Sequence, residues 1–206
     1  MSRSQKVEGL LFDLGGVLLN IDFNLAFQTW KKWTLLPVEE LQSRFKMDEA
    51  YEKHERGEIE ASQYFDHLRG VLELEATDSD IALGWNAIFV DEIEETLNYI
   101  SKVRRELPCF AFTNSNRAHQ SYWYNKYPRV VNSFDKIFVS SDLGFRKPER
   151  RSFEAISNAT GISLGAMLFF DDMEENVSGA RESGMRAVCV KNHTDVKHAL
   201  VEIGVI

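Results

Sequence analysis

The sequence predicts an α/β fold: a parallel sheet covered by helices on both faces, interrupted after its first strand by an all-helical insert. Three observations carry this. Short runs rich in Leu, Val, Ile and Phe, at residues 7–12, 108–112, 136–139, 166–170 and 186–190, have the length and composition of buried strands. Patterns of helical period separate most of them, and strands alternating with helices build a parallel sheet. From about residue 21 to residue 88 the chain reads as helical throughout.

The elements follow in chain order. Residues 7–12 form the first strand. In the insert, residues 23–33 carry Phe23, Phe27, Trp30 and Trp33 at helical spacing. Residues 37–47 open with Pro37, Glu39 and Glu40, as a helix start should. Segments 48–56, 60–71 and 78–89 continue the pattern. Aromatic residues at this spacing are core sooner than a ligand box. Residues 92–105 then bring Ile93, Leu97, Ile100 and Val103 to one helical face. Segment 148–160 starts at Pro148, suited to a first helical position, and stops at Gly161, suited to a C-terminal cap. Segment 174–183 stops at Gly184, and 193–203 closes the chain. The expected division is an α/β domain of residues 1–20 and 90–206 with a helical insert of residues 21–89.

Composition narrows the function. A chain of 206 residues, 44% hydrophobic, buries a full core without disulfides or structural metal. With 24 basic and 32 acidic residues the net charge is -8, which argues against nucleic-acid and anionic-membrane partners, because neutralising phosphates needs a positive face. A local basic site for a small anion stays compatible with it. Cys109 and Cys189 sit inside apolar runs, against a disulfide framework or a zinc site. The apolar run near the N-terminus is too short for a signal peptide, and no stretch approaches a membrane span. The expected compartment is the cytoplasm; the sequence sets no oligomeric state.

Polar residues follow the strands: Asp13 after the first, Thr113 and Asn114 after the second, Ser140, Ser141 and Asp142 after the third, Asp171 and Asp172 after the fourth. In open parallel sheets, ligands bind at the carboxyl ends of the strands. Three carboxylates (Asp13, Asp171 and Asp172), a hydroxyl and an amide would share one crevice. Several carboxylates on one rim are costly unless a cation sits between them. With hard oxygen ligands, only five histidines and no zinc spacing, magnesium is the natural cation. Gly15 and Gly16 let backbone approach a ligand closely. A carboxylate beside magnesium can attack phosphorus, giving an aspartyl-phosphate that water releases. Lys147, just before a helix start in Arg146-Lys147-Pro148, can serve as a point charge for phosphate. Each feature alone has an ordinary reading as a turn, a helix cap or a solvated lysine. Together, in this order, they do not.

These residues resemble the haloacid dehalogenase-like hydrolases over nearly the whole chain. FDLGGVLL resembles the first motif of that family, FTNSN the second, RKP the third and FFDDMEENVSGA the fourth. The helical insert resembles the small cap of one subgroup. NIDFN, YEKHERGEIE, SNRAHQSYW and SDLGFRKPE are most similar to the bacterial α-D-glucose-1-phosphate phosphatases. The resemblance implies a Rossmann-like core, a mobile cap, and hydrolysis of a small phosphorylated metabolite. It implies Asp13 as nucleophile, Thr113 and Asn114 holding the phosphoryl group, and Lys147 stabilising both. It implies magnesium bound by the Asp13 and Asp172 carboxylates and the Gly15 carbonyl, with Asp171 binding the metal or orienting its waters. Asn176 would add an outer contact or simply occupy a helix face.

One departure matters. The family pattern has a second Asp two residues after the nucleophile, which protonates the leaving group and later activates water. Here that residue is Gly15. Three readings follow: a leaving group that needs less help, as an anomeric sugar oxygen does; a proton from Asp22, His54 or Glu55; or a protein that binds phosphate with little turnover. Dehalogenases of the family also lack the second Asp, but work without magnesium, and the acidic pair disfavours them. Transfer between sugar positions wants an acid–base residue beside the nucleophile and is disfavoured too. His54, Glu55 and Arg56 of the insert, and Arg117, His119, Tyr122 and Trp123 after the second motif, are candidates for setting specificity, against a plain reading as charged loop or packing.

Overall fold

The computed structural model describes residues 6–206, so residues 1–5 of the expected α/β domain lie outside the described residues. Five strands form the main sheet: β1 (Gly9–Phe12), β4 (Cys109–Thr113), β5 (Lys136–Val139), β6 (Met167–Asp171) and β7 (Arg186–Cys189). A two-stranded antiparallel ribbon pairs β2 (Leu19–Ile21) with β3 (Phe89–Glu92). The main sheet runs β5-β4-β1-β6-β7, and every pairing is parallel. From β1 the chain builds outward through β4 and β5, then crosses back to β6 and β7. The strand order therefore reverses beside β1, and a crevice opens there at the carboxyl ends.

Alternate residues of β1 point to opposite faces. Leu10 and Phe12 pack with Leu97 and Ile100 of α6 (Glu94–Val103), Trp123 of α7 (Arg117–Lys126) and Leu200 of α12 (His193–Glu202). Leu11 packs with Phe153 and Ile156 of α10 (Arg150–Thr160) and Ala180 of α11 (Glu174–Glu182). Helices thus cover both faces, as expected.

The stretch between β2 and β3 is helical: α1 (Asn24–Trp30), α2 (Val38–Arg44), α3 (Glu49–Glu55), α4 (Ala61–Leu72) and α5 (Asp78–Asn86). These helices share a second hydrophobic cluster, built around Trp30, Tyr64 and Trp85. The Trp30 and Trp85 rings stack with centroids 6.1 Å apart, and the Trp30 indole donates to the Ile81 carbonyl. A β-carbon on Gly84 would run into that indole, so α5 can approach only at glycine. Of the aromatic residues at helical spacing, Phe27 and Trp30 are core, while Phe23 and Trp33 are half-buried and pack against it.

Several boundaries differ from expectation. The helix expected through residue 89 ends at Asn86, and Phe89–Glu92 is a strand of the ribbon. The helix expected from Pro148 starts at Arg150; Pro148 instead packs on Gly179 of α11, where a β-carbon would come within 2.6 Å of it. Strands β4 and β6 sit one residue later than expected, which makes Thr113 and Asp171 their last residues. Three helices went unread: α7, α8 (Pro128–Asn132) and α9 (Ser140–Leu143). The last two are short, and α7 is largely polar.

Candidate active site

Four chain segments meet at the reversal point of the sheet. Asp13 follows β1, and its amide extends the ladder by donating to the Phe170 carbonyl at 2.8 Å. Thr113 ends β4 and Asn114 follows it; Asp171 ends β6 and Asp172 follows it. Lys147 enters from the segment between α9 and α10 and is 1% exposed. Its Nζ donates to Asp13 Oδ1 at 2.8 Å, to Asp171 Oδ2 at 2.6 Å and to the Phe112 carbonyl at 3.0 Å. Three acceptors satisfy the three N–H bonds of an ammonium, the condition for burying one. The Phe112 and Phe169 rings lie 5.3 and 5.5 Å from the same nitrogen, within cation–π range.

Asn114 holds the backbone of Lys147. Its Nδ2 donates to the Lys147 carbonyl at 2.9 Å, and the Lys147 amide donates to its Oδ1 at 2.8 Å. Asp171 is saturated. Besides Lys147 it accepts from the Met173 amide at 2.9 Å and from Asn176 Nδ2 at 3.0 and 3.2 Å.

Carboxylate oxygens of Asp13, Asp171 and Asp172 lie within 4.8 Å of one another. Burial pushes the Asp13 carboxyl up to about 7; Lys147 opposes the rise, and Asp171 and Asp172 add to it. Burial, then Asp171, raises Asp172 as well. Burial alone would lower the Lys147 ammonium, but Asp13 and Asp171 together hold it above the usual lysine range. Three carboxylates against one ammonium leave an excess of negative charge that a divalent cation would offset. The donor set fits one: hard oxygens only, beside backbone that approaches closely. Gly16 has φ +68°, and a β-carbon there would overlap the Asp172 carboxylate. The loop and the carboxylate are thus fitted to each other at a position open only to glycine.

A cavity of about 370 Å³ opens between this rim and the helical segment. Asp13, Gly15, Thr113, Asn114, Lys147, Asp172 and Asn176 all line it, while Asp171 lies behind Lys147, fully buried. The structure does not bring Ser140, Ser141 and Asp142 to the rim. Ser140 is buried and ties its segment to Ser115, and Asp142 accepts from Gln120. The proton-donor candidates separate. Asp22 accepts from the Asn24 amide just before α1, and His54 stacks on Tyr64 away from the cavity. Burial pushes the His54 imidazole down to about 4. Glu55 does line the cavity, whereas Arg56 is taken by Glu52, Glu58 and Glu149. His119 and Trp123 reach the cavity; Tyr122 lies under Lys126, and Arg117 is not on the wall.

Sequence reasoning missed Tyr51 and the role of Arg146. Arg146 Nε donates to Glu55 Oε2 at 2.8 Å, joining the segment before Lys147 to α3. The adjacency of Arg146 to Lys147 was a signal; its partner 91 positions away carried none.

A doubly wound α/β core whose reversal point holds an aspartate, a buried lysine and an acidic pair defines a hydrolase-type site. The chain belongs to the haloacid dehalogenase-like hydrolase family, whose profile matches residues 7–184. It is similar to "Phosphatase MT3486" of Mycobacterium tuberculosis, 27% identical over 205 residues, covering 95% of this chain and 92% of that protein. It is also similar to the D-ribitol-5-phosphate phosphatase of Bacteroides thetaiotaomicron, 23% identical over 202 residues, covering 96% and 98%. Among solved structures, a HAD family enzyme of Bacteroides thetaiotaomicron in complex with magnesium superimposes with a TM-score of 0.83 at 27% identity, covering 95% of this chain and 99% of that one. The same enzyme has been solved with magnesium and inorganic phosphate.

Proposed function

We propose that this protein is a magnesium-dependent phosphomonoesterase acting on a small sugar phosphate through an aspartyl-phosphate on Asp13. The carrying observation is the Lys147 ammonium, which bridges Asp13 and Asp171; of that pair Asp13 lines the cavity and Asp171 does not. Residues 21–89 are read as a cap over a core of residues 1–20 and 90–206. The likeness to an enzyme solved with magnesium and inorganic phosphate supports both cation and reaction class. The compartment is read as the cytoplasm, supported by the free thiols of Cys109 and Cys189.

Asp13, Asp172 and the Gly15 carbonyl would hold the magnesium, with Asp171 supporting the site. When bound, the cation supplies positive charge against the phosphate and the carboxylates. The substrate phosphoryl group rests on Thr113, Asn114 and Lys147. Lys147 holds Asp13 Oδ1 and so fixes the orientation of the carboxylate that attacks phosphorus. Attack forms the Asp13–phosphorus bond and breaks the ester bond; the alkoxide leaves with its electron pair and takes a proton from solvent. Water then releases phosphate and restores Asp13. Lys147 offsets charge throughout. With Gly15 in place of an acid, a leaving group of low basicity is favoured, and a sugar 1-phosphate such as glucose 1-phosphate supplies one. The ribitol-phosphate relative supports a phosphorylated polyol or sugar more broadly.

Gly15 also motivates a second reading, a phosphate-binding protein with little turnover. Phosphate release from a panel of sugar phosphates, with magnesium and with chelator, decides between them. Chelator-sensitive turnover that disappears in Asp13→Asn establishes the phosphatase. Retained turnover in Asp13→Asn would refute Asp13 as nucleophile, and no turnover from a folded, magnesium-binding sample favours the binding protein.

A further inference from the structure

Where the phosphoryl group is read to rest, the cavity offers donors from Thr113 and Asn114 and the positive charge of Lys147. Elsewhere on the wall two buried side chains are of the opposite kind. Glu55 of α3 is 4% exposed, and His119 of α7 is 5% exposed; both line the cavity. Glu55 is fixed by Arg146 at 2.8 Å and by a side-chain hydrogen bond from Tyr51. His119 is fixed by stacking on Trp85 at 4.7 Å and by its Nδ1, 3.1 Å from Asn86 Oδ1. An amide oxygen only accepts, so Nδ1 carries the proton and Nε2 is an acceptor. Burial also pushes this imidazole down to about 3, which keeps it neutral.

Resting on the phosphatase reading, we propose that Glu55 and His119 form a hydroxyl-recognition subsite, which selects a polyol or sugar chain attached to the phosphate. The Glu55 carboxylate and His119 Nε2 accept from substrate hydroxyls, and Arg146, beside Glu55 on the wall, can donate to a hydroxyl oxygen. The apolar wall formed by Phe23, Ile88 and Phe89 meets the carbon face of the chain. Buried acceptors of this kind discriminate strongly, because a ligand without hydroxyls leaves His119 Nε2 unpaired and adds nothing to the bonds Glu55 already takes from Arg146 and Tyr51. Glu55 comes from the helical segment and His119 from the core. The subsite is therefore complete only when both residues line the cavity, as they do here.

The test is calorimetric binding of ribitol 5-phosphate and of phenyl phosphate, with magnesium, to Asp13→Asn protein carrying Glu55→Gln or His119→Phe. The Phe ring keeps the stack on Trp85 and removes the acceptor. The expected result is about ten-fold weaker binding of ribitol 5-phosphate in each variant, with phenyl phosphate changed less than about three-fold. Equal weakening of both ligands would show that the two residues only hold the fold together, and would overturn the proposal. So would unchanged ribitol 5-phosphate binding, or its failure to bind the Asp13→Asn background. Binding here does not require turnover. A wild-type protein that releases no phosphate would defeat the phosphatase reading and still leave this comparison to decide the subsite.

Discussion

Asn114 grips Lys147 by its backbone, giving one hydrogen bond to the carbonyl and taking one from the amide, at 2.9 and 2.8 Å. The amide side chain at the end of β4 thereby sets where the ammonium emerges between Asp13 and Asp171. Asn114→Ala is expected to lower kcat/KM by about ten- to a hundred-fold, the scale of a lost buried pair of hydrogen bonds, while leaving Lys147 charged. Steady-state kinetics checks this; an unchanged kcat/KM would remove Asn114 from the positioning of Lys147.

Removing the ammonium itself is a different perturbation. Lys147→Ala leaves Asp13 and Asp171 buried without their cation, a loss of about 3–5 kcal/mol when one partner of a buried pair is deleted. Thermal melting without magnesium should show a large drop, partly recovered on adding magnesium. A variant as stable as the wild type would mean that the carboxylates are held some other way.

The sheet, its covering helices and the polar strand ends were legible because each depends on local composition: apolar runs of strand length, helical spacing, and an abrupt polar residue where a run stops. What stayed hidden depends on distant partners or on orientation. The β2–β3 ribbon is three residues against four, and β3 is half polar, so neither strand has a pattern of its own. His54 and Glu55 are neighbours in sequence, yet successive helical residues point about 100° apart, so one packs on Tyr64 and the other faces the cavity. Asp171 and Asp172 look equivalent as a pair. The structure separates them, because the last residue of β6 turns into the protein toward Lys147 and the next turns to the cavity.

Gly16 predicts a local intolerance. Its φ of +68° and the overlap of a β-carbon with Asp172 make Gly16→Ala costly on two counts, together about 1–3 kcal/mol, and displace a proposed magnesium ligand. Magnesium titration should show weaker binding alongside the lower melting temperature. Affinity unchanged from wild type would argue that Asp172 does not hold the cation.

Proton release should accompany magnesium binding. With the Asp13 carboxyl held up at about 7, the folded metal-free protein keeps a proton there that the unfolded chain has lost. A carboxyl raised in this way makes the folded state less stable as pH climbs from about 4 through about 7, and the loss is complete above that range. Magnesium binds only the ionised form, so its affinity should fall by up to about ten-fold per unit below pH ~7, with about one proton released on binding at pH ~6. Calorimetry in buffers of different ionisation heat measures this. A flat affinity between pH ~5.5 and ~8 with no proton release would show that Asp13 is already ionised before the cation arrives.

Gly15 offers the sharpest test of the leaving-group argument. Unlike Gly16, it needs no left-handed backbone, and a β-carbon there would meet only Ile21 Cγ1 at 3.4 Å, an ordinary contact. Gly15→Asp should therefore fold and place a carboxyl two residues after Asp13, where the family pattern has its acid. If hydrolysis now relies on leaving groups of low basicity, the variant should raise kcat toward an alkyl phosphate such as ribitol 5-phosphate by about ten-fold or more, in the range of positioned acid–base groups. Phenyl phosphate, whose phenoxide leaves without help, should gain little. Equal gains on both would mean that the new carboxyl acts on the water step instead. No gain on either would mean that proton supply to the leaving group does not limit the native enzyme.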